Sequence, residues 1–221
     1  MPPLEFGGHA FRVAGAAALF WPRHAALIVA DLHLEKASWF AARGQMLPPH
    51  DSQATLERLA ALIAATRARA VWCLGDNFHD VGGPSRLTEP ARRLLASLTS
   101  AIEWHWITGN HDEILPDGIG GRVIEEAEVD GLVLRHRAVP GEATPELSGH
   151  FHPKYRAVAR GKGVSRPCFV ATPVKLILPA FGALTGGLDA SHPEIRAATG
   201  AGAEALVPIR DRLLRFPIGL H

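Results

Sequence analysis

Cysteine is nearly missing: the 221 residues hold two, Cys73 and Cys168. Two thiols cannot staple a small disulfide scaffold, and a chain of this length can bury a sizeable core without one. Cys73 lies inside the apolar run Val71-Trp-Cys-Leu74, which predicts a buried free thiol. Long apolar runs are missing as well. None approaches the roughly 20 residues needed to span a bilayer. The N-terminus lacks a basic region followed by an apolar stretch and a cleavage site. These absences predict a cytoplasmic protein. An excess of one charge is also lacking, since 23 basic and 22 acidic residues leave a net +1. That excludes the global field of a strongly basic nucleic-acid binder, so a nucleic-acid substrate would have to be held by a local patch. What is present, 47% apolar and 20% charged residues with no repeat or low-complexity segment, suits one globular enzyme domain over residues 1–221.

The pattern along the chain changes half-way. The run Ala25-Ala-Leu-Ile-Val-Ala30 reads as a buried strand ending at Asp31. Leu56, Leu59, Leu62 and Ile63 fall at helical spacing between Ser52 and Arg67, with Asp51 or Ser52 as the capping residue. A second buried strand, Ala70 to Leu74, runs into Gly75-Asp76. A helix from about Pro90 to Leu98 then precedes the alternating strand Glu103 to Ile107, which ends in Thr108-Gly109-Asn110-His111. This is β-α-β-α-β. The second half offers short strands, Val123 to Val129, Leu132 to Leu134, Arg156 to Ala159, Cys168 to Ala171 and Lys175 to Leu178, separated by Gly and Pro. They predict a second, more antiparallel sheet packed on the first. The tail from about Ala190 suggests no role.

Metal-ligand residue types gather at the strand ends: Asp31-Leu-His33, Gly75-Asp76, Gly109-Asn110-His111-Asp112, His136, and Gly149-His150-Phe151-His152. In an open α/β sheet, ligands bind beyond the carboxyl ends of the strands, so these motifs converge. Each has an ordinary explanation alone. An Asp after a strand or a Gly-Asp pair is a common turn, Asn110 suits a left-handed turn, and His-x-His arises by chance among 12 histidines.

Taken together and in this order, the five groups resemble the calcineurin-like metallophosphoesterase superfamily, over roughly residues 27 to 153. The resemblance implies an α/β fold, a two-sheet sandwich flanked by helices. It implies that Asp31, His33 and His152 hold one divalent metal, that Asn110, His136 and His150 hold a second, and that Asp76 bridges them. His136 has no flanking motif, and a salt-linked or core histidine is the rival reading. Mixed Asp, Asn and His ligation suits Mn²⁺, Fe²⁺ or Zn²⁺, and the resemblance implies Mn²⁺ among these. Hydrolysis of a phosphodiester by a hydroxide bridging two metals is the implied reaction. His111 resembles the family's non-ligand histidine and is the expected general acid. Asp112 either orients His111 or caps a turn. His79 and Asp80 are placed either against substrate and a ligand histidine or in plain polar surface roles.

Four longer stretches narrow the resemblance: Asp31-Leu-His-Leu-Glu-Lys36, Arg43-Gly-Gln-Met-Leu-Pro-Pro49, Gly75-Asp-Asn-Phe-His-Asp80 and Leu178-Pro-Ala-Phe-Gly-Ala-Leu-Thr-Gly-Gly187. They are similar to the bacterial ligase-associated DNA damage response endonucleases, which are grouped with a DNA ligase and a helicase. That implies DNA as substrate and a part in DNA repair. Trp39, Phe40 and Arg43 form an aromatic-basic cluster able to stack on bases or grip a phosphate, and Arg86, Arg92 and Arg93 follow the second motif. The rival readings are core cover and a solvated helix face. Leu178 to Gly187 either closes a wall of the site or is a sheet edge. Two other functions stay open. One is a small-molecule phosphatase or cyclic-nucleotide phosphodiesterase, which needs a closed pocket where a nuclease needs an open groove. The other is a non-catalytic scaffold of the same fold, which would tolerate loss of donors that are all present here.

Overall fold

Short strands that alternate or run fully apolar build two seven-stranded sheets in the computed structural model, which describes residues 1–159 and 161–219. The first sheet begins as a meander, β1 (Pro3–Phe6), β2 (His9–Ala14) and β3 (Ala18–Trp21), and continues with β4 (Ala26–Val29), β5 (Ala70–Leu74), β6 (Glu103–Ile107) and β7 (Arg122–Ile124) in that order. From β4 to β7 every pairing is parallel. Helices α1 (Lys36–Ala41) and α2 (Asp51–Thr66) fill the crossover from β4 to β5. Helices α3 (Gly83–Arg86) and α4 (Glu89–Ala101) fill the next. The chain then crosses to the second sheet through β8 (Glu126–Val129), β9 (Leu132–Arg135) and β10 (Glu146–Ser148). It makes a separate two-stranded ribbon, β11 (Lys154–Ala159) and β12 (Lys162–Pro167). It finishes with β13 (Phe169–Ala171), β14 (Lys175–Ile177), α5 (Pro193–Thr199), β15 (Glu204–Ile209) and β16 (Arg212–Pro217). The order across this sheet is β16-β15-β13-β14-β10-β9-β8, mostly antiparallel. The α/β two-sheet sandwich anticipated from the sequence is what forms.

Each sheet presents one face to the other. Phe11, Leu19, Trp21, Ile28 and Leu74 of the first pack against Leu134, Leu147, Phe169 and Leu176 of the second. The outer face of the first sheet, with Val29, Val71 and Trp106, is covered by Leu56 and Leu59 of α2 and by Ala91 and Leu95 of α4. The outer face of the second meets α5 through Val170, Ala205, Ile195 and Ala198. With both faces covered, β4 is buried at all four residues, hence its unbroken apolar run. Cys73 and Cys168 are buried free thiols, and burial raises the pKa of both.

Several local expectations are corrected. Neither Asp51 nor Ser52 caps α2, whose N-cap is His50 without a side-chain bond. Those side chains cross to α1 instead: Ser52 Oγ accepts from the Glu35 N–H at 2.7 Å and donates to Glu35 Oε1, and Asp51 Oδ2 accepts from the Ala37 N–H. The stretch Val123 to Val129 is not one strand. It breaks at Glu125, β7 closing the edge of the first sheet and β8 opening the edge of the second. Arg156 to Ala159 belongs to the ribbon, not to the second sheet. The tail is a helix and a hairpin that extend the second sheet. The N-terminal meander escaped the pattern reading, although its hairpin is written in Gly7-Gly8. Phe6 pairs with His9 across a two-residue turn, and both glycines have positive φ, as a type I′ turn requires.

Candidate metal centre

The loops after β4, β5 and β6 lie side by side at one end of the first sheet. The loops after β9 and β10 reach the same place from the second. Backbone pairing continues past the strand ends: Asp31 N–H donates to Gly75 O, His33 N–H to Asp76 O and Leu34 N–H to Asn77 O. Among the described non-glycine residues eleven have positive φ, and five of them are Asp31, His33, Asp76, His150 and His152. A left-handed non-glycine residue costs on the order of 1 kcal/mol or more, and clusters of them mark sites where the fold dictates side-chain direction. The glycines of the motifs supply close approach. A Cβ at Gly109 would collide with Asp76 N and Oδ1, and one at Gly75 with the His136 ring.

The sequence-derived donors fall into two groups that share one carboxylate. Ligand atoms of Asp31, His33, Asp76 and His152 all lie within 4.8 Å of one another, and so do those of Asp76, His136 and His150. In the first group His33 Nε2 is 3.1 Å from His152 Nε2, His152 Nε2 is 3.4 Å from Asp31 Oδ1, and His33 Nε2 is 3.7 Å from Asp76 Oδ2. In the second, His136 Nε2 is 3.1 Å from His150 Nδ1 and 3.4 Å from Asp76 Oδ1. Asn110 Oδ1 is 3.0 Å from His136 Nε2 and 2.9 Å from His150 Nδ1. Two ligands each about 2.1 Å from one cation lie roughly 3 to 3.4 Å apart for right-angled to tetrahedral geometry. The donor spacings therefore fit two divalent ions.

The imidazoles are prepared for that role. His136 Nδ1 donates to Leu74 O at 3.0 Å, which leaves the Nε2 lone pair facing the site. Burial first, and then the neighbouring His152 and His111, hold His33 far below its ordinary pKa. Burial and His136 hold His150 at about 4. Both rings are thus neutral, the form that ligates. Asp76 is pushed upward, chiefly by burial and also by Asp31, while His136 and the His111 N–H pull it down. A cation between the two aspartates removes that conflict.

His111 stands beside this cluster. Its backbone N–H donates to Asp76 Oδ1 at 3.0 Å, its Nδ1 donates to the His79 carbonyl at 2.8 Å, and its Nε2 is 4.0 Å from Asp76 Oδ2. His79 stacks on the His111 ring, lies 3.4 Å from His33 through Nδ1, and is held at about 4 chiefly by burial. Two alternatives left open by the sequence are decided here. Asp112 does not touch the His111 imidazole. It accepts from the N–H groups of Asn77, Phe78 and Gly109 at 2.7, 3.1 and 2.9 Å, and so caps the turns of the second and third motifs. Burial still pushes its carboxyl up to about 6. Asp80 does not reach a ligand histidine but pairs with Arg86. Asp112→Ala is expected to strand three buried N–H groups and to lower stability by about 2 kcal/mol in urea unfolding. A loss of activity without that loss of stability would overturn the capping role.

Trp39 and Phe40, half-buried, pack on His79 with centroids 4.9 and 5.8 Å away, walling the centre. The Arg43 guanidinium lies 3.6 Å over Trp39 and bonds its carbonyl, so the cluster is largely occupied with itself. Arg92 bonds carbonyls just before its own helix and Arg93 pairs with Glu89, both on the exposed face of α4. The structure does not bring them to the centre. Sequence reading passed over the carbonyls of Leu74 and His79, which carry no side-chain signal. It also passed over Lys154, two residues after His152.

The family described as calcineurin-like phosphoesterases matches residues 25–177, more than half of the chain. Among solved structures, the nuclease MPE of Pseudomonas putida is similar at 28% identity and TM-score 0.73, over 97% of this chain and 98% of that one. A Vps29 of Entamoeba histolytica complexed with Zn²⁺ is similar at 15% identity and TM-score 0.35, over 88% of this chain and 99% of that one. No curated protein sequence matches. No helix among the described residues is long and apolar enough to cross a membrane. With the family's donors gathered at one end of a sandwich of this kind, the chain belongs to the calcineurin-like phosphoesterases and is a metal-dependent phosphoester hydrolase.

Proposed function

We propose that this phosphoesterase is a nuclease that cleaves phosphodiester bonds in DNA at a dinuclear metal centre. The observation that carries the reading is the Asp76 carboxylate, which faces His33 through Oδ2 and His136 through Oδ1 and so belongs to both donor groups. Seven residues are assigned as ligands: Asp31, His33 and His152 on one side, Asn110, His136 and His150 on the other, and Asp76 between. Two cations held there, Mn²⁺ in preference to Fe²⁺ or Zn²⁺, would supply a nucleophilic water near neutral pH and neutralise charge on the phosphate. The chain's own groups orient and protonate. His79 O holds the Nδ1 proton of His111, so it is the imidazolium form of that ring whose Nε2–H faces the phosphate and gives its proton to the departing oxygen, leaving the neutral Nδ1–H ring.

The choice of a polymer over a nucleotide is supported by access. Asn110 is exposed, and His111, His150 and His152 are half-exposed, so the donors sit at the surface and not at the bottom of a closed pocket. The similar P. putida structure is also of a nuclease. A part in DNA repair, in the cytoplasm and alongside a DNA ligase and a helicase, belongs to the same reading. The test is a substrate panel with added Mn²⁺: a chromogenic phosphodiester, a phosphomonoester, cyclic nucleotides, and single- and double-stranded DNA. Hydrolysis of the diester and of DNA is expected. Activity on monoesters alone, or on cyclic nucleotides alone, would overturn it.

A further inference from the structure

Beside His152 a cleft of about 350 Å³ opens, walled by Lys154, Arg58 and the segment Pro179 to Gly186. The volume is at the small end of ligand pockets, which run from about 300 to 1,000 Å³. Its lining contains two cations and no carboxylate. Arg58 spends one N–H on the Phe181 carbonyl at 2.8 Å and lies 4.5 Å over the Phe181 ring. Lys154 has its backbone pinned to Leu188 and Ala190, and its stem lies against Gly187, where a Cβ would come within 3.0 Å of Cε. Among the described residues its ammonium reaches only the Thr185 carbonyl, at 3.4 Å.

The chain has four lysines. Lys175 is paired with Glu146, whereas Lys36 and Lys154 have no salt bridge among the described residues. Lys36, at the start of α1, is half-buried. Burial lowers its pKa, Asp51 opposes this, and the Lys154 charge adds to the lowering. Lys154 and Arg58 stand together in a cleft whose lining holds no acid, and an anion completes such a site. A phosphate fits the charge, the hydrogen-bond donors and the volume.

We propose that this cleft is a second phosphate subsite, in which Lys154 and Arg58 hold the phosphodiester next to the scissile one on a single DNA strand. The inference rests on the nuclease reading and assigns a wall to the Leu178-to-Gly187 segment, whose Phe181 and Gly182 N–H groups also hold the Ala30 and Asp31 carbonyls. The enzyme would then measure substrate by chain length, since a dinucleotide has no phosphate to place there.

The experiment separates the two readings. Binding of the fluorescently labelled dinucleotide dTpdT and trinucleotide dTpdTpdT is measured in EDTA, where nothing is cleaved, and cleavage of both is measured with Mn²⁺. Wild type is expected to favour the trinucleotide by about tenfold. Lys154→Gln, which keeps most of the stem, is expected to bring the ratio close to one, and Lys154→Arg to restore it. The salt dependence of trinucleotide binding should lose about 0.7 of a log unit per log unit of salt in Lys154→Gln. A wild-type ratio near one, or one unchanged by Lys154→Gln, overturns the subsite. Length- and Lys154-dependent binding without cleavage of either oligonucleotide supports the subsite and overturns the nuclease reading instead.

Discussion

Asp76→Asn is expected to lower phosphodiester hydrolysis by several kcal/mol of transition-state stabilisation, on the order of 10³-fold or more. Asparagine keeps the size of the side chain and an oxygen that can still accept the His111 N–H, a bond of 3.0 Å in the native chain. What it removes is the negative charge common to both donor groups. The residue is almost fully buried, so no solvent replaces that charge. Metal content, read by mass spectrometry, should fall from about two ions per chain to one or fewer, with an unchanged far-ultraviolet spectrum. Activity within tenfold of wild type at full metal loading would sink the bridging role of Asp76.

Gly109→Ala is expected to be nearly as damaging, although Gly109 carries no chemistry. An added Cβ would overlap the Asp76 backbone nitrogen and Oδ1, and backbone atoms cannot swing aside as the end of a flexible side chain can. Either the third motif moves outward, taking Asn110 and His111 with it, or Asp76 leaves the centre. Overpacking of this kind costs about 3 kcal/mol. A displacement near 1 Å at the reacting groups costs roughly 100-fold in rate. The measurements are urea unfolding and kcat with Mn²⁺. A variant with native stability and native turnover would show that the approach of the two loops is not required.

The site was more legible in the sequence than the fold around it, for a physical reason. Asp31 and Asp76 follow buried strands whose unbroken apolar runs announce both the strand and its end, and Asn110 follows the alternating strand β6. The joint order of the motifs then located the donors. His136 was placed by order alone, and only the Leu74 carbonyl that holds its Nδ1 explains its aim. Asp112 stayed open between orienting His111 and capping a turn because sequence adjacency says nothing about direction; its carboxylate turns inward to three backbone N–H groups. The edge strands were harder. In β7 and β8 a run of consecutive residues is divided between two sheets, and no local pattern records which partner each half will find. The ribbon β11 and β12 pairs only with itself among the described strands, so its alternation looks like that of any sheet strand. In the tail, β15 and β16 are mixed in polarity because one face of that hairpin is solvated.

The crossing of the chain between sheets near Glu125 has a consequence for assembly. Asp31, Asp76 and Asn110 hang from the first sheet, and His136, His150 and His152 from the second. Neither sheet carries a complete coordination sphere. The centre comes into being only when the two halves meet in the correct register, and a chain with one sheet misdocked has scattered donors in place of a hydrolytic site. A cell is thereby spared a phosphoester hydrolase that is active before it is finished: competence to hydrolyse is a readout of a closed sandwich.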